Sequence, residues 1–537
     1  MRTRLGRLAM GVALASLTAC TMVGPDFEQP SAEVNKAWLE AENAKVAPQE
    51  QLQKEWWKVF KDPVLDQLVE QAYADNPDLQ TAGANVLQAR ALLGAAIGEL
   101  YPQQQQAIGS LLYERTSLKE PGAPVGSGSS KLVSNLVDTF GAQANWEFDV
   151  WGRIRRNIQS ADANFLSTIA SYDNVLVSLT ADVAAGYVSL RTLEAQLEIL
   201  KKNVEVQKQA LDLAQIQFKG GTTTELDVYQ ASTILTSTEA QVPDIQAQIQ
   251  VARNTLCALV GVTPGSLDKL LDQGKGIPVA PAKVAVGIPG ELLRRRPDVR
   301  RAELIAASQS ALIGVEKGAL YPAFSLLGSF TFVSSNYNNS ATGANFELSD
   351  IFGWKARAIE FGPGVSWNIL NYGQITNRVR AQDAAFEASL SSYESVVLAA
   401  QREVESALAQ YLFQFQVIDQ LRKSVDSAQK AFELAFLQYK DGIADFTTVL
   451  TVEQQLIQQE SALTVAMGKL PSDLVSIYRA LGGGWEIREG KGFLPPQTIE
   501  TMMKRTNWGS LLTPPDLAPQ QQRPPAYYAS PLQRPEW

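Results

Sequence analysis

Few side chains in this 537-residue chain could do covalent or metal chemistry. It has no histidine and only two cysteines, Cys20 and Cys257. Without histidine, Ser-His-Asp and Cys-His nucleophile systems, HExxH zinc sites and histidine general bases are excluded. The glycine-rich run Gly126–Lys131 lacks the spacing of a phosphate-binding loop, and the scattered carboxylates form no evident pairs. We therefore predict that the protein is not an enzyme and that it uses no cofactor and no metal.

The N-terminus has the pattern of a secretory signal that ends at a cysteine. Three arginines precede an apolar run from Leu8 to Leu17, and Leu17-Thr18-Ala19-Cys20 resembles a bacterial lipobox. On this interpretation residues 1–19 are a signal peptide, and Cys20 is the acylated first residue of the mature chain. Thr21, where some lipoproteins have aspartate, points to the outer membrane. The alternative is an ordinary signal peptide with an incidental cysteine.

Charge and cysteine usage narrow the class of protein further. The formal net charge of −9 argues against nucleic acid as a partner of an exported chain. If Cys20 carries lipid, Cys257 has no disulfide partner, and we expect it to be a small buried residue. No cluster of methionine or cysteine points to a soft metal ion as cargo.

Two stretches without proline, Arg153–Phe218 and Gln374–Asp441, predict unusually long helices. Apolar residues recur along both in steps of three and four, which is typical of helices that pack against other helices along a seam. The surrounding sequence is duplicated at a constant spacing. Asn76-Pro77-Asp78-Leu79 recurs as Arg296-Pro297-Asp298-Val299, and Trp151-Gly152 recurs as Tyr372-Gly373. We therefore expect two large repeats that each contain a long hairpin of helices.

A segment of period two lies before each long helix. Apolar and polar residues alternate over Phe140–Val150, Phe324–Phe332 and Ile359–Ile369, and more weakly over Gln103–Ser117. Runs of ~9–11 residues with one apolar face are typical of strands that cross a bilayer in a barrel. The strand of a soluble sandwich also alternates, and the alternation alone does not decide between them. The barrel interpretation turns four residues toward lipid: Trp146, Phe148, Phe361 and Trp367.

Several motifs together resemble one protein family. The opening Val23-Gly24-Pro25-Asp26-Phe27, the pair Trp56-Trp57, the mid-chain run Leu292–Arg300 and the terminal Ala480–Trp485 are similar to the lipoprotein, OprM-like branch of the TolC-like outer-membrane factors, or outer-membrane efflux proteins. Taken alone, the arginines of the mid-chain run would suggest a phosphate site. In an acidic exported chain we interpret them as an ion-pair cluster at a helix start.

The resemblance implies an α+β membrane protein that assembles as a trimeric TolC-like channel. Four strands from each chain leave two open edges, which lipid does not tolerate, so three chains would close one shared 12-stranded β-barrel. The long helices would form an α-helical barrel across the periplasm. The expected division of the chain is a lipid-anchored equatorial segment, a first repeat, an equatorial linker, a second repeat and a tail: 20–75, 76–262, 263–289, 290–485 and 486–537. In the repeats we place strands at about 103–150 and 323–370, and helical hairpins at about 152–262 and 374–482. The Pro- and Gln-rich tail is expected to be disordered beyond about Leu512.

The resemblance also implies a function and partners. It predicts a homotrimer in the outer membrane that is a passive exit duct for drugs or other toxic small molecules. An inner-membrane pump of RND type would supply these compounds through a periplasmic membrane-fusion adaptor. A duct for type I protein secretion or metal export is the alternative within this class. A lipid-anchored coiled-coil spacer or adhesin without a pore is the alternative of another class, although a spacer has no reason to carry four strands.

The resemblance places a gate at the periplasmic tips of the two hairpins, Gly220–Gln230 and Asp441–Gln455. Asp227 stands where the family commonly has aspartate. In the second tip Thr451 replaces the family's aspartate and Gln454 replaces its arginine, which leaves Glu453 and Asp445 as the nearest acidic substitutes. Asp227 would then attract cations toward a narrow axis. The alternative role for Asp227 is a first-turn carboxylate that compensates the helix dipole.

Overall fold

A computed structural model describes residues 22–47, 54–116, 133–274, 276–286, 289–336, 338–339, 344–345, 347–509 and 511–512. The predicted signal peptide, Cys20 and the tail beyond Leu512 lie outside these residues. The ten α-helices of the described chain are α1 Pro63–Asp75, α2 Pro77–Gly98, α3 Arg153–Lys219, α4 Glu225–Val260, α5 Asp268–Leu271, α6 Pro289–Arg295, α7 Pro297–Gly318, α8 Gln374–Lys440, α9 Phe446–Ala480 and α10 Pro496–Arg505. No described helix is both long enough and apolar enough to span a membrane.

Helix boundaries follow the local sequence, and the two repeats match. Helix α2 begins after Asn76, whose side chain accepts a hydrogen bond from the Leu79 amide at 2.8 Å, with proline at the first helical position. Both 67-residue helices, α3 and α8, follow a glycine with positive φ, at 77° for Gly152 and 81° for Gly373. Both end at a short turn that leads into the returning helix of the hairpin.

The strands are β1 Val46–Ala47, β2 Gln104–Thr116, β3 Val133–Phe148, β4 Val284–Ala285, β5 Ala323–Ser335, β6 Asn338–Asn339, β7 Ala344–Asn345 and β8 Arg357–Ser366. The main sheet has the order β2-β3-β5-β8, and every pair in it is antiparallel. Within the described chain β2 and β8 have a partner on one side only, so both edges of the sheet are open. Strand β8 ends at Ser366, earlier than the alternation predicted, and Trp367 follows it.

The long helices run through two layers of packing. Beside the sheet, α3 packs against α2 and α7, and α7 packs against α8. Toward the hairpin turns, α3 packs against α4 and α9, and α9 packs against α8. Helix α3 therefore lies in the middle of the chain's helical wall, and α8 lies at one side of it.

The largest core lies between these layers, around the middle of α3. It gathers Trp56, Trp57 and Tyr187, all 1 % exposed or less, with apolar residues from the second repeat. The Trp56 ring stacks on Tyr478 with the ring centroids 5.1 Å apart. A second, smaller core surrounds the hairpin turns and includes Ala214, Ala231, Tyr439, Phe446 and Val449.

Candidate channel wall and periplasmic tips

The two faces of the main sheet differ in polarity. Residues directly opposite one another in the antiparallel register share a face. One face carries the rows Phe148–Phe324–Val365, Trp146–Leu326–Pro363 and Ala142–Phe330–Ile359. The other carries Gln106–Gln143–Ser329–Glu360 and Gln104–Asn145–Leu327–Gly362, in which Leu327 is an apolar exception. A sheet of this kind separates an apolar environment from water.

The four residues predicted to meet lipid lie on the apolar face or just beyond its end. Phe361 is 76 % exposed in the single chain, and Trp146 contacts Phe148 with the ring centroids 4.6 Å apart. The indole of Trp146 donates to the Leu100 carbonyl at 3.1 Å, and the indole of Trp367 donates to the Leu320 carbonyl at 3.0 Å. These carbonyls belong to the segments just after α2 and α7, so both tryptophans lie at the helix-side rim of the sheet. Phe361 lies near the middle of β8 instead.

The first described residues of the chain are tied to the same rim. The Val23 amide donates to the Trp151 carbonyl at 3.0 Å, and Met22 packs against Gly152. Arg156, which is 3 % exposed, donates to the carbonyls of Val23 and Gly24 and to the Asp26 carboxylate at 2.9–3.2 Å. The burial of Arg156 was not predictable from the sequence, because an arginine in the first turn of a long helix gives no sign that it will be buried.

Asp227 lies in the first turn of α4 at the first hairpin tip. Its half-buried carboxylate accepts hydrogen bonds from the hydroxyls of Thr223 and Thr224. Both bonds come from hydroxyls rather than from backbone amides, so the local role that remains for Asp227 is a negative charge in the first turn of the helix.

The second tip presents Asp445 and Thr451 on its surface. Asp445 caps α9 by accepting from the Thr448 amide at 2.9 Å and the Thr448 hydroxyl at 2.6 Å. These bonds lower the pKa of Asp445, so its exposed carboxylate carries a full negative charge. The Thr451 hydroxyl donates to the Thr447 carbonyl within its own helix at 2.8 Å.

The prediction that Glu453 substitutes in an acidic ring at the surface is wrong. Glu453 is 3 % exposed, and its side chain extends from α9 to Gln207 of α3. The physical reason is helix periodicity, because Phe446, Val449, Leu450, Glu453 and Leu456 form one buried stripe of α9. The spacing to Val449 and Leu456 was present in the sequence, and it could have identified Glu453 as a buried residue.

The arginine cluster before α7 is an ion-pair cluster, as predicted. Arg296 is 6 % exposed and donates to both Asp298 carboxylate oxygens at 2.6–3.0 Å and to Glu403 at 2.8 Å. It also donates to the carbonyl of Ala480 at the end of α9. The cluster thus joins the start of α7 to α8 and α9.

Comparison with known proteins agrees with this architecture. The family model described as "Outer membrane efflux protein" matches residues 68–262 and 288–483, once for each repeat. The chain is 29 % identical to the solvent efflux pump outer membrane protein SrpC of Pseudomonas putida over 89 % of this chain and 98 % of that protein. It is 28 % identical to nodulation protein T of Rhizobium leguminosarum bv. viciae, over 89 % of this chain and 94 % of that protein.

Solved structures with the same fold include the outer-membrane channel OprN. OprN is 33 % identical to this chain, with a TM-score of 0.78 over 86 % of this chain and 99 % of OprN. The predicted fold class, a duplicated TolC-like channel with four strands per chain, is thereby confirmed. Proteins of this family are trimeric channels rather than enzymes. The chain belongs to the outer membrane efflux protein family, and it is an outer-membrane channel that extends into the periplasm.

Proposed function

We propose that three copies of this chain form the exit duct for apolar toxic small molecules, supplied by an RND-type inner-membrane pump through a periplasmic adaptor. The observation that carries the proposal is the main sheet, which has one apolar face, one polar face and two open edges. Barrel closure by three such sheets puts the polar face around water and the apolar face against lipid. The relatives named for solvent and toluene efflux support small apolar cargo.

We propose further that Cys20 is the lipid attachment site. Met22 and Val23 are held against Gly152 and Trp151 at the rim of the sheet. Two residues span at most ~7 Å, so an acylated Cys20 lies within reach of the bilayer surface. The three hydrogen bonds from Arg156 fix this segment whether or not lipid is attached.

An equatorial collar is the third part of the proposal. Strands β1 and β4 pair in parallel, Val46 with Val284, which joins the N-terminal segment to the linker between the repeats. The ring of Phe493, after α9, meets Tyr172 of α3 edge-on with the ring centroids 5.1 Å apart. These contacts support a division into the two repeats 76–262 and 290–485 with a collar built from 20–75, 263–289 and 486–537.

The tips carry the proposed periplasmic mouth. Asp227 and the exposed Asp445 supply its negative charge, and Thr451 lies on the same surface of the second tip. Three copies of each carboxylate around one axis attract cations. Replacing Asp227 by alanine is expected to weaken the cation preference of the channel and to leave the trimer intact.

The function is tested by deleting the gene and measuring susceptibility to toluene and to apolar antibiotics. We expect higher susceptibility in the deletion strain and full recovery with the wild-type gene on a plasmid. Unchanged susceptibility to all compounds in the deletion strain would contradict the proposed cargo.

A further inference from the structure

Glu453 is a carboxylic acid that is buried inside the helical bundle. Its side chain is 3 % exposed, and it lies one helical turn from Val449 and Leu450 of the small core beside the hairpin turns. Glutamate is rarely buried to this extent unless it is paired, because an isolated charge loses its hydration. The residue therefore has either a partner or a proton.

The polar groups around Glu453 are uncharged and incompletely bonded. Gln207 of α3 is 1 % exposed, and both its amide oxygen and its amide nitrogen lack a hydrogen-bond partner, as does Oε1 of Glu453. Asn203, one turn away on the same face of α3, has a buried and unpartnered Nδ2. The Gln207 amide nitrogen can donate to either form of the carboxyl, and this contact lowers the pKa of Glu453 against the larger effect of burial. Only a protonated carboxyl can also donate to the free oxygen of Gln207.

Charged side chains on the neighbouring helices do not neutralise Glu453. Lys208 of α3 pairs with Glu239 of α4 at 3.3 Å, and Lys430 of α8 pairs with Asp426 at 2.7 Å, all four being solvent-exposed. No charged side chain in the described part of the chain shifts the pKa of Glu453: burial raises it, and the contact with Gln207 lowers it.

We propose that Asn203, Gln207 and Glu453 form a proton-binding site that holds α9 against α3 while Glu453 is protonated and weakens this contact when Glu453 ionises. Burial raises the pKa of Glu453 from 4.5 to about 7. A raised pKa in the packed state means that protonation favours packing. The contribution is complete below pH 4.5, falls as the pH rises from there toward 7, and is lost above about pH 7.

The site lies at a contact between the two hairpins of one chain. Helix α3 belongs to the first hairpin and α9 to the second, and they pack together on the side of the turns. Loosening this contact frees the second hairpin to move relative to the first. This inference rests on the proposed function in one respect, namely that this end of the bundle is the mouth of the duct. The mouth would then open more readily at neutral or alkaline pH than at acidic pH.

Hydrogen exchange of the purified trimer tests the packing itself, independently of transport. The variant Glu453→Gln keeps the shape of the side chain and cannot ionise, and the control Glu205→Gln removes an exposed carboxylate from the same level of α3. At pH 8.0 we expect the amides of 449–456 to exchange about 300-fold faster in wild type than in Glu453→Gln, since pH 8 lies above both the pKa of 4.5 in the loosened contact and the pKa of about 7 in the packed one. At pH 5.5 the difference should shrink to about tenfold, because this pH is one unit above 4.5 and below 7, and Glu205→Gln should follow wild type at both pH values.

Equal exchange of wild type and Glu453→Gln at pH 8.0, or the same slowing in Glu205→Gln, would overturn the proposal. If Glu453→Gln fails to assemble, wild type alone decides through the ratio of exchange in 449–456 to that in the middle of α4. After correction for intrinsic rates, this ratio should rise about 30-fold between pH 5.5 and 8.0, and a constant ratio would overturn the proposal. A deletion strain with unchanged susceptibility would contradict the proposed cargo without affecting this result.

Discussion

Asp173 and Arg488 form a deeply buried ion pair that joins the first repeat to the segment after the second. Arg488 donates two hydrogen bonds to the Asp173 carboxylate at 2.6 and 2.9 Å, and their side chains are 7 % and 3 % exposed. Burial raises the pKa of Asp173, and the adjacent guanidinium opposes this rise. The bidentate geometry compensates much of the desolvation cost of both ions.

Removing the cation alone should therefore be costly. We expect Arg488→Met to reduce the free energy of unfolding by about 3–5 kcal/mol per chain, because Asp173 is left buried and unpaired. The double variant Asp173→Leu with Arg488→Met should recover a large part of this loss. Thermal unfolding followed by circular dichroism measures both, and equal destabilisation in the single and double variants would show that the pair is not the cause.

Cys20 can be tested at the same scale. We expect the wild-type protein to incorporate labelled palmitate and the Cys20→Ser variant to incorporate none. The trimer should still form in the variant, because sheet pairing and helix packing do not use the lipid. Intact-mass measurement of the purified protein checks the result, and a wild-type chain without acyl mass would contradict the lipobox interpretation.

At the scale of the elements, alternation along the strands was enough to predict the two faces of the sheet. Trp146, Phe148 and Phe361 do share the apolar face, while Asn145 lies on the polar one. Alternation could not show that Trp146 and Trp367 lie at the helix-side rim of the sheet. Their positions depend on hydrogen bonds from the indoles to the carbonyls of Leu100 and Leu320, which follow α2 and α7. Glu453 was misplaced because it was chosen as an acidic residue close to Thr451 in the sequence, whereas the buried stripe of α9 determines where its side chain lies.

The facing of the sheet predicts unequal effects of arginine substitutions. Phe361→Arg places a charge near the middle of the apolar face, where it should cost about 2–4 kcal/mol. Ser329→Arg on the polar face should be much milder, because its side chain reaches water, and Glu360 lies directly opposite it. The yield of SDS-resistant trimer in membranes compares the two. Equal losses would mean that the faces are assigned incorrectly.

At the scale of the whole molecule, the single chain is visibly incomplete. Both edges of the main sheet are open, and α8 exposes large apolar side chains along its length: Leu398, Phe413, Leu434 and Leu437. Exposed strand edges and apolar helix faces need partners. The family's trimer supplies them, with the next copy completing both the barrel and the helical wall. The family resemblance implied this trimer, and two similar repeats in each of three chains give a tube of nearly sixfold symmetry.

Because the single chain is incomplete, the sequence could not show which of the two long helices packs inside it. Helix α3 is buried on several sides within its own chain, whereas the equally long α8 lies at one side of the wall. Their apolar stripes are alike in sequence, so periodicity alone could not show which helix packs inside the chain and which faces the next copy. That distinction depends on connectivity, since α3 contacts helices of both repeats and α8 contacts mainly α7 and α9.

Conductance of the purified trimer in planar lipid bilayers tests the central claim, that this chain builds a water-filled channel through the outer membrane, most directly. We expect stepwise currents that increase with salt concentration and prefer cations over anions, because carboxylates line the proposed mouth. The Phe361→Arg protein, if it fails to assemble as predicted, should give none at the same protein concentration. A wild-type trimer that inserts into the bilayer but never conducts would contradict the account.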